Sequence, residues 1–251
     1  MRILILSILM SFGAAAGELI ELTGLSDAPD PFSPAVAGQA TITSRWHVMN
    51  VVPDVSNQSV DIRTVLRVIT TVSAPGGTVV RTFTTQVSAS RDASATGESQ
   101  PVIEHTWNGK DADGNVVPDG QYAISVTGAI IQIVQNKQGG QGVRIQEIAK
   151  ASVSGVASML IDSTAPVISD VTPKDGVFIN SPRPVISARL NDASSGIDFQ
   201  TLDVLIDDVR VAVTASADGF TYTPLTNLPD GKHSIVVRVR DNAGNVGVAK
   251  Q

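Results

Sequence analysis

Strict alternation of apolar and polar residues is the feature that most constrains this chain. In Val60-Asp61-Ile62-Arg63-Thr64-Val65-Leu66-Arg67-Val68, the residues Val60, Ile62, Leu66 and Val68 share one face. Asp61, Arg63 and Arg67 take the other face, which is the pattern of a strand covered on one side only. Tyr122, Ile124 and Val126 repeat it, as do Leu202, Val204 and Ile206, and then Ile235, Val237 and Val239. β-branched residues dominate these runs and suit a pleated, half-buried surface. Turn chemistry separates them at Ala74-Pro75-Gly76-Gly77, Asp113-Gly114-Asn115, Pro118-Asp119-Gly120, Asp218-Gly219, Pro229-Asp230-Gly231 and Ala243-Gly244-Asn245. Gly and Asn tolerate positive φ there, and Pro presets the turn. No segment after the N-terminus carries helical periodicity. The chain is predicted to be all-β, built of sandwiches.

Length sets the number of sandwiches. At 251 residues the chain exceeds one ordinary domain, and two modest ones fit best. Arg2, the apolar run 3–12 and Ala14-Ala15-Ala16 read as an export signal over residues 1–16, with the mature chain starting at Gly17. The run is too short to span a bilayer, so no membrane span is expected after signal cleavage. Residues 17–29 read as a linker, 30–161 as a first sandwich and 162–251 as a second. The polar, Gly-rich stretch 135–142 reads as the tip of a long hairpin.

Composition removes several function classes. With 0 Cys there is no disulfide framework, thiolate zinc site or cysteine nucleophile. A formal charge of −6 argues against a nucleic-acid partner. His47, His105 and His233 lie far apart, and neither a Gly-x-Ser-x-Gly elbow nor a His-Glu-x-x-His segment is present. The chain is read as non-catalytic.

Residues 30–161 resemble the FlgD-like immunoglobulin family. The residues that carry this are Asp30-Pro31-Phe32-Ser33-Pro34, Val79-Val80-Arg81-Thr82-Phe83, and above all Thr106-Trp107-Asn108-Gly109-Lys110-Asp111 followed by Asp113-Gly114-Asn115-Val116-Val117-Pro118-Asp119-Gly120-Gln121-Tyr122. The long hairpin after Tyr122 departs from that family. Residues 162–251 resemble a bacterial Ig-like repeat, through Asp162-Ser163-Thr164-Ala165-Pro166 and the turns 192–198, 228–233 and 241–245. The resemblances imply a secreted or cell-surface structural or adhesion module. The expected partners are other surface proteins or polysaccharide. The alternatives are an accessory or carbohydrate-binding fragment of a larger exported enzyme, and the start of a longer repeat protein.

Two oxygen clusters are candidate calcium sites. Asp111, Asp113 and Asn115 have the spacing that opens a calcium loop, without the Gly and Glu that complete one. Asp192, Asp198 and Asp241 lie in turns that an Ig-like topology brings toward one pole. In both places the competing role is an Asx turn, in which the carboxylate binds its own backbone. Trp107 is expected in the core, and Trp46 is left with two orientations. An outward Trp46 would favour sugar stacking.

Overall fold

A computed structural model of the chain describes residues 19–49, 54–57, 60–89, 99–136 and 144–251. The export signal expected over residues 1–16 and the hairpin tip around 137–143 lie outside the described residues. Contacts divide the chain into two compact units. The first draws on the chain up to Asp30, on Gln39–Val117 and on Gln121–Met159. The second draws on Pro31–Gly38, Pro118–Gly120 and Leu160–Gln251.

The strands of the first unit are β1 (Leu19–Ala28), β2 (Ala40–Met49), β3 (Val55–Ser56), β4 (Val60–Ser73), β5 (Val79–Ser88), β6 (Val102–Trp107), β7 (Gly120–Asn136) and β8 (Arg144–Ile161). One sheet has the order β1-β2-β6; the other runs β3-β4-β7-β8, with β5 also paired to β4. β2 pairs antiparallel with β1 and β6, β4 pairs antiparallel with β3, β5 and β7, and the β4–β7 ladder runs without a break from Val60↔Asn136 to Ser73↔Ala123. Leu66, Val68 and Val72 are buried on the face of β4 that the alternation predicts.

Residues 19–28 are not the linker the sequence suggested. They form β1, paired with β2 along its whole length. The register shifts between Leu22 and Gly24, so the extra residue Thr23 throws the buried Leu22 and Leu25 out of period two. A bulge of this kind hides a strand from any alternation test.

Both tryptophans lie between the sheets of this unit, each 1% exposed. The Trp107 indole N–H donates to the Lys110 carbonyl at 2.7 Å, and its ring tilts against Tyr122 at 5.7 Å. The Trp46 N–H donates to Ser44 Oγ at 2.9 Å. The ring of Trp46 occupies the space over Gly128, where a Cβ would fall 2.4 Å from a ring carbon. Trp46 therefore faces inward, and the orientation that would have favoured sugar stacking is not adopted.

The second unit contains the four-residue helix α1 (Pro34–Ala37) and strands β9 (Val167–Thr172), β10 (Ile186–Asn191), β11 (Ile197–Ile206), β12 (Val209–Val211), β13 (Thr214–Ser216), β14 (Gly219–Tyr222), β15 (Ile235–Asp241) and β16 (Val246–Lys250). Its two four-stranded sheets have the orders β13-β14-β10-β9 and β12-β11-β15-β16. Ile186, Leu190, Val204, Phe220, Val237 and Val239 form the core between them. Where β14 meets β10, Gly219 has φ +153 and a Cβ there would lie 2.0 Å from the Ala188 carbonyl oxygen. Only glycine fits so close a backbone approach.

Candidate functional site

Three segments of the second unit converge at one place: the lead-in 162–164, the turn 192–196 before β11, and the β15–β16 turn 241–245. Asp162, Asp192 and Asp241 each offer a carboxylate oxygen there, all within 4.8 Å of one another. Asp162 and Asp241 are buried, and Asp192 is half-buried.

Backbone amides hold most of these oxygens in place. Asp162 accepts from the amides of Thr164 at 3.0 Å and Ser195 at 3.0 Å, one on each oxygen. Asp192 Oδ1 accepts from the amides of Ser194 at 3.1 Å and Gly196 at 2.7 Å. Asp241 Oδ1 accepts from the Asn245 amide at 2.9 Å, and its Oδ2 accepts from Asn245 Nδ2 at 2.8 Å.

Asn245 ties the segments together. Its Nδ2 also donates to the Asp162 carbonyl at 2.9 Å and faces the Thr164 carbonyl at 3.4 Å. Its Oδ1 accepts from the buried Ser33 hydroxyl at 2.7 Å, which fastens residues 31–38 to the same point. A second clamp acts on the lead-in. Asp119 accepts from the Ser163 amide at 2.7 Å and from the Thr164 hydroxyl at 2.5 Å.

Charge repulsion persists at the cluster. Burial pushes the Asp241 carboxyl up, Asp162 and Asp192 push the same way, and the hydrogen bonds from Asn245 oppose them. Like charges sharing a desolvated site disfavour full ionisation. Among the described residues, no donor reaches Asp192 Oδ2, and Ser195 Oγ is buried without a partner. The carboxylates thus keep acceptor capacity beyond their amide bonds. This is a donor set a hard cation accepts.

Of the residues the sequence singled out, Asp192 and Asp241 come together and Asp198 does not join them. Asp198 Oδ1 accepts from the Gln200 amide, closing an Asx turn of its own. Asp162, Asn245 and Asp119 were not singled out as site residues. The sequence does carry a signal: Asp162 opens the second sandwich and Asp241 opens its last turn.

Asp111, Asp113 and Asn115 form a turn organised by one residue. Asp111 Oδ1 accepts from the amides of Asp113 and Asn115, and the Asn115 side chain turns its Nδ2 toward Oδ2. These hydrogen bonds hold the Asp111 carboxyl below its usual range. Asn115 thus turns its amide nitrogen toward the Asp111 carboxylate.

Two histidines have structural partners. His105 Nδ1 and Nε2 lie 2.9 and 2.8 Å from the hydroxyls of Thr70 and Thr85. Its ring stacks on Phe83 at 5.3 Å, and burial pushes its pKa down. His233 pairs with Asp207 at 2.6 Å and with the Pro229 carbonyl at 2.9 Å, which together push its pKa up.

Antiparallel sheets stacked over an apolar core define each unit as a β-sandwich. Residues 156–251 match the family described as bacterial Ig-like domain. No curated protein matches the chain. Among solved structures, the fibronectin(III)-like modules of Clostridium thermocellum CbhA align over 92% of this chain and 91% of that chain. The identity is 16% and the TM-score 0.33. No helix among the described residues is long and apolar enough to cross a membrane.

Proposed function

We propose that the chain is a secreted or cell-surface structural and adhesive module without chemistry of its own. One observation carries this reading. The polar centre of the second unit is directed at its own backbone, where Asp162, Asp241, Asn245 and Asp119 hold chain segments in place. The match of residues 156–251 to bacterial Ig-like domains supports it. The resemblance of residues 30–161 to FlgD-like domains supports it too. The buried Trp46 weighs against an aromatic sugar platform, and with it against the carbohydrate-binding alternative. Fractionation of the producing cells should recover the protein outside the cytoplasm, with its N-terminus near Gly17. Recovery from the cytoplasm with Met1 still in place would overturn the reading.

A specific observation favours calcium as a ligand of this module. Three carboxylates share one pole, a buried serine hydroxyl lies in the same turn without a partner, and repulsion among the acids is only partly offset. Asp162, Asp192 and Asp241 would hold the ion, with Ser195 as a further oxygen. Calcium would neutralise the charge there and stiffen the lead-in. The melting temperature of the second unit should rise with calcium, by the equivalent of about 2.7 kcal/mol at a hundredfold excess over Kd. Asp192→Asn should remove the response, because it leaves the amide bonds of Oδ1 an acceptor while deleting the charge. Identical melting in millimolar calcium and in chelator would reject calcium and leave the hydrogen-bonded clamp alone.

A further inference from the structure

One turn of the second unit hangs on a single side chain. Pro229, Asp230, Gly231 and Lys232 are all exposed. A Cβ added at Gly231 would meet nothing within 4 Å, so the turn stands open to solvent. The chain is fastened on either side of it. The Leu228 amide donates to the Pro182 carbonyl at 2.8 Å, and the Ser234 amide donates to Asp207 Oδ1 at 2.8 Å. Between those points, among the described residues, one hydrogen bond holds the stretch: the 2.9 Å contact of His233 Nε2 with the Pro229 carbonyl.

The other ring nitrogen has a rigid partner. Asp207 and Asp208 make the two-residue turn between β11 and β12, with φ 50 and 63, the left-handed pair of a type I′ hairpin. The Asp207 amide donates to the Ser234 carbonyl at 3.0 Å, which fixes the turn beside the start of β15. Asp207 Oδ2 is thereby presented to His233 Nδ1 at 2.6 Å.

The imidazole thus lies between a carboxylate and a carbonyl, and both can only accept. A neutral ring carries one N–H and serves one of them, whereas imidazolium serves both. When the proton leaves, the carboxylate, the stronger acceptor, keeps the remaining N–H. Nε2 then points a lone pair at the Pro229 oxygen, and the one bond across the turn becomes a repulsion.

The surrounding charges favour the protonated ring. Lys174 and Asp175 come from the loop 173–182, Asp230 and Lys232 from the turn itself, and Asp208 follows Asp207. Asp207 dominates among them, and with the Pro229 carbonyl it pushes the ring's pKa up. Hydrogen bonds from His233 and Ser234 hold the Asp207 carboxyl below its usual range, so it stays ionised while the ring titrates. The turn also forms one wall of a cleft of about 870 Å3, whose opposite wall is the loop 173–182 and which Ile206 and Ile235 line from the core side.

We propose that His233 is a protonation switch: as imidazolium it staples the turn 228–233 between Asp207 and Pro229, and on losing its proton it releases Pro229 and frees that wall of the cleft. The sign follows from the raised value. The staple is fully present below the ordinary histidine value of about 6.5 and is lost as pH rises through the higher value of the folded protein. His233 lies at the opposite end of β15 from Asp241, so the switch stands apart from the calcium reading.

The test is NMR on the full chain between pH 5 and 9. The His233 ring should titrate above about 6.5, and the amides of Asp230, Gly231 and Lys232 should shift with the same midpoint. Their backbone order parameters should fall from about 0.85 below that midpoint to under about 0.6 above it. Asp207→Asn keeps a residue suited to the left-handed turn while removing the charge. It should bring the midpoint to about 6.5 or lower and leave the turn mobile at neutral pH. A wild-type ring that titrates at or below about 6.5 overturns the proposal. A turn that is equally ordered, or equally mobile, on both sides of the midpoint overturns it as well.

Discussion

Trp46→Ala should destabilise the first unit by about 3–5 kcal/mol, the range for removing a buried large aromatic. The indole lies between β2 and β7, 1% exposed, with its N–H on Ser44 Oγ. The cost should lie toward the upper part of that range because the cavity cannot collapse easily. Gly128 carries no side chain to move into the space, and it sits on the long ladder between β4 and β7. Ser44 also keeps a second contact, with its hydroxyl 3.4 Å from the Ile103 carbonyl, so little polar penalty adds to the packing loss. Denaturant melts that resolve the two units should show the first transition shifting alone. A loss well below about 1 kcal/mol would mean that the ring is not enclosed.

Asn245→Ala should be nearly as damaging to the second unit, at about 3–5 kcal/mol, for a different reason. The change strands several buried groups at once: the Ser33 hydroxyl, the Asp162 carbonyl and the Asp241 carboxylate. Each loses a partner it cannot replace with water while the site stays closed. Asn115 supplies an internal control. It occupies a turn with the same Asp-to-Asn hydrogen bonds, yet it is exposed, so Asn115→Ala should cost within about 1 kcal/mol. Calorimetry on both variants checks the contrast. Equal losses at the two positions would show that the turn, and not the buried junction, sets the stability.

The fold was legible wherever the alternation ran unbroken, as in β4, β7 and β15, because one buried face imposes period two directly. It failed at β1, where the bulge at Thr23 shifts the phase. The candidate site was legible in part. Asp192 and Asp241 stand out as turn acids, and the Ig-like topology brings their turns together. Asp162 looked like a boundary marker, and Asn245 like an ordinary turn residue. Their importance comes from hydrogen bonds across 83 and 212 positions, which no local pattern encodes. Asp198 was misleading because an Asx turn and a ligand loop use the same residue in the same local context.

The bond between Ser33 and Asn245 also orders events in time. It joins residues 212 positions apart, so Ser33 cannot make it until Asn245 has been synthesised. A chain that emerges N-terminus first must hold the segment 31–38 in waiting, Phe32 until Leu160 and Asp162 have followed and Ser33 until Asn245 has. Closure over so long a loop is slow, and contacts of large sequence separation form late. A nascent chain interrupted before Leu160 therefore leaves Phe32 without the strand it pairs with, and one interrupted before Asn245 leaves the Ser33 hydroxyl without its acceptor. Such chains expose an apolar segment early and are the ones most prone to aggregate or to be degraded.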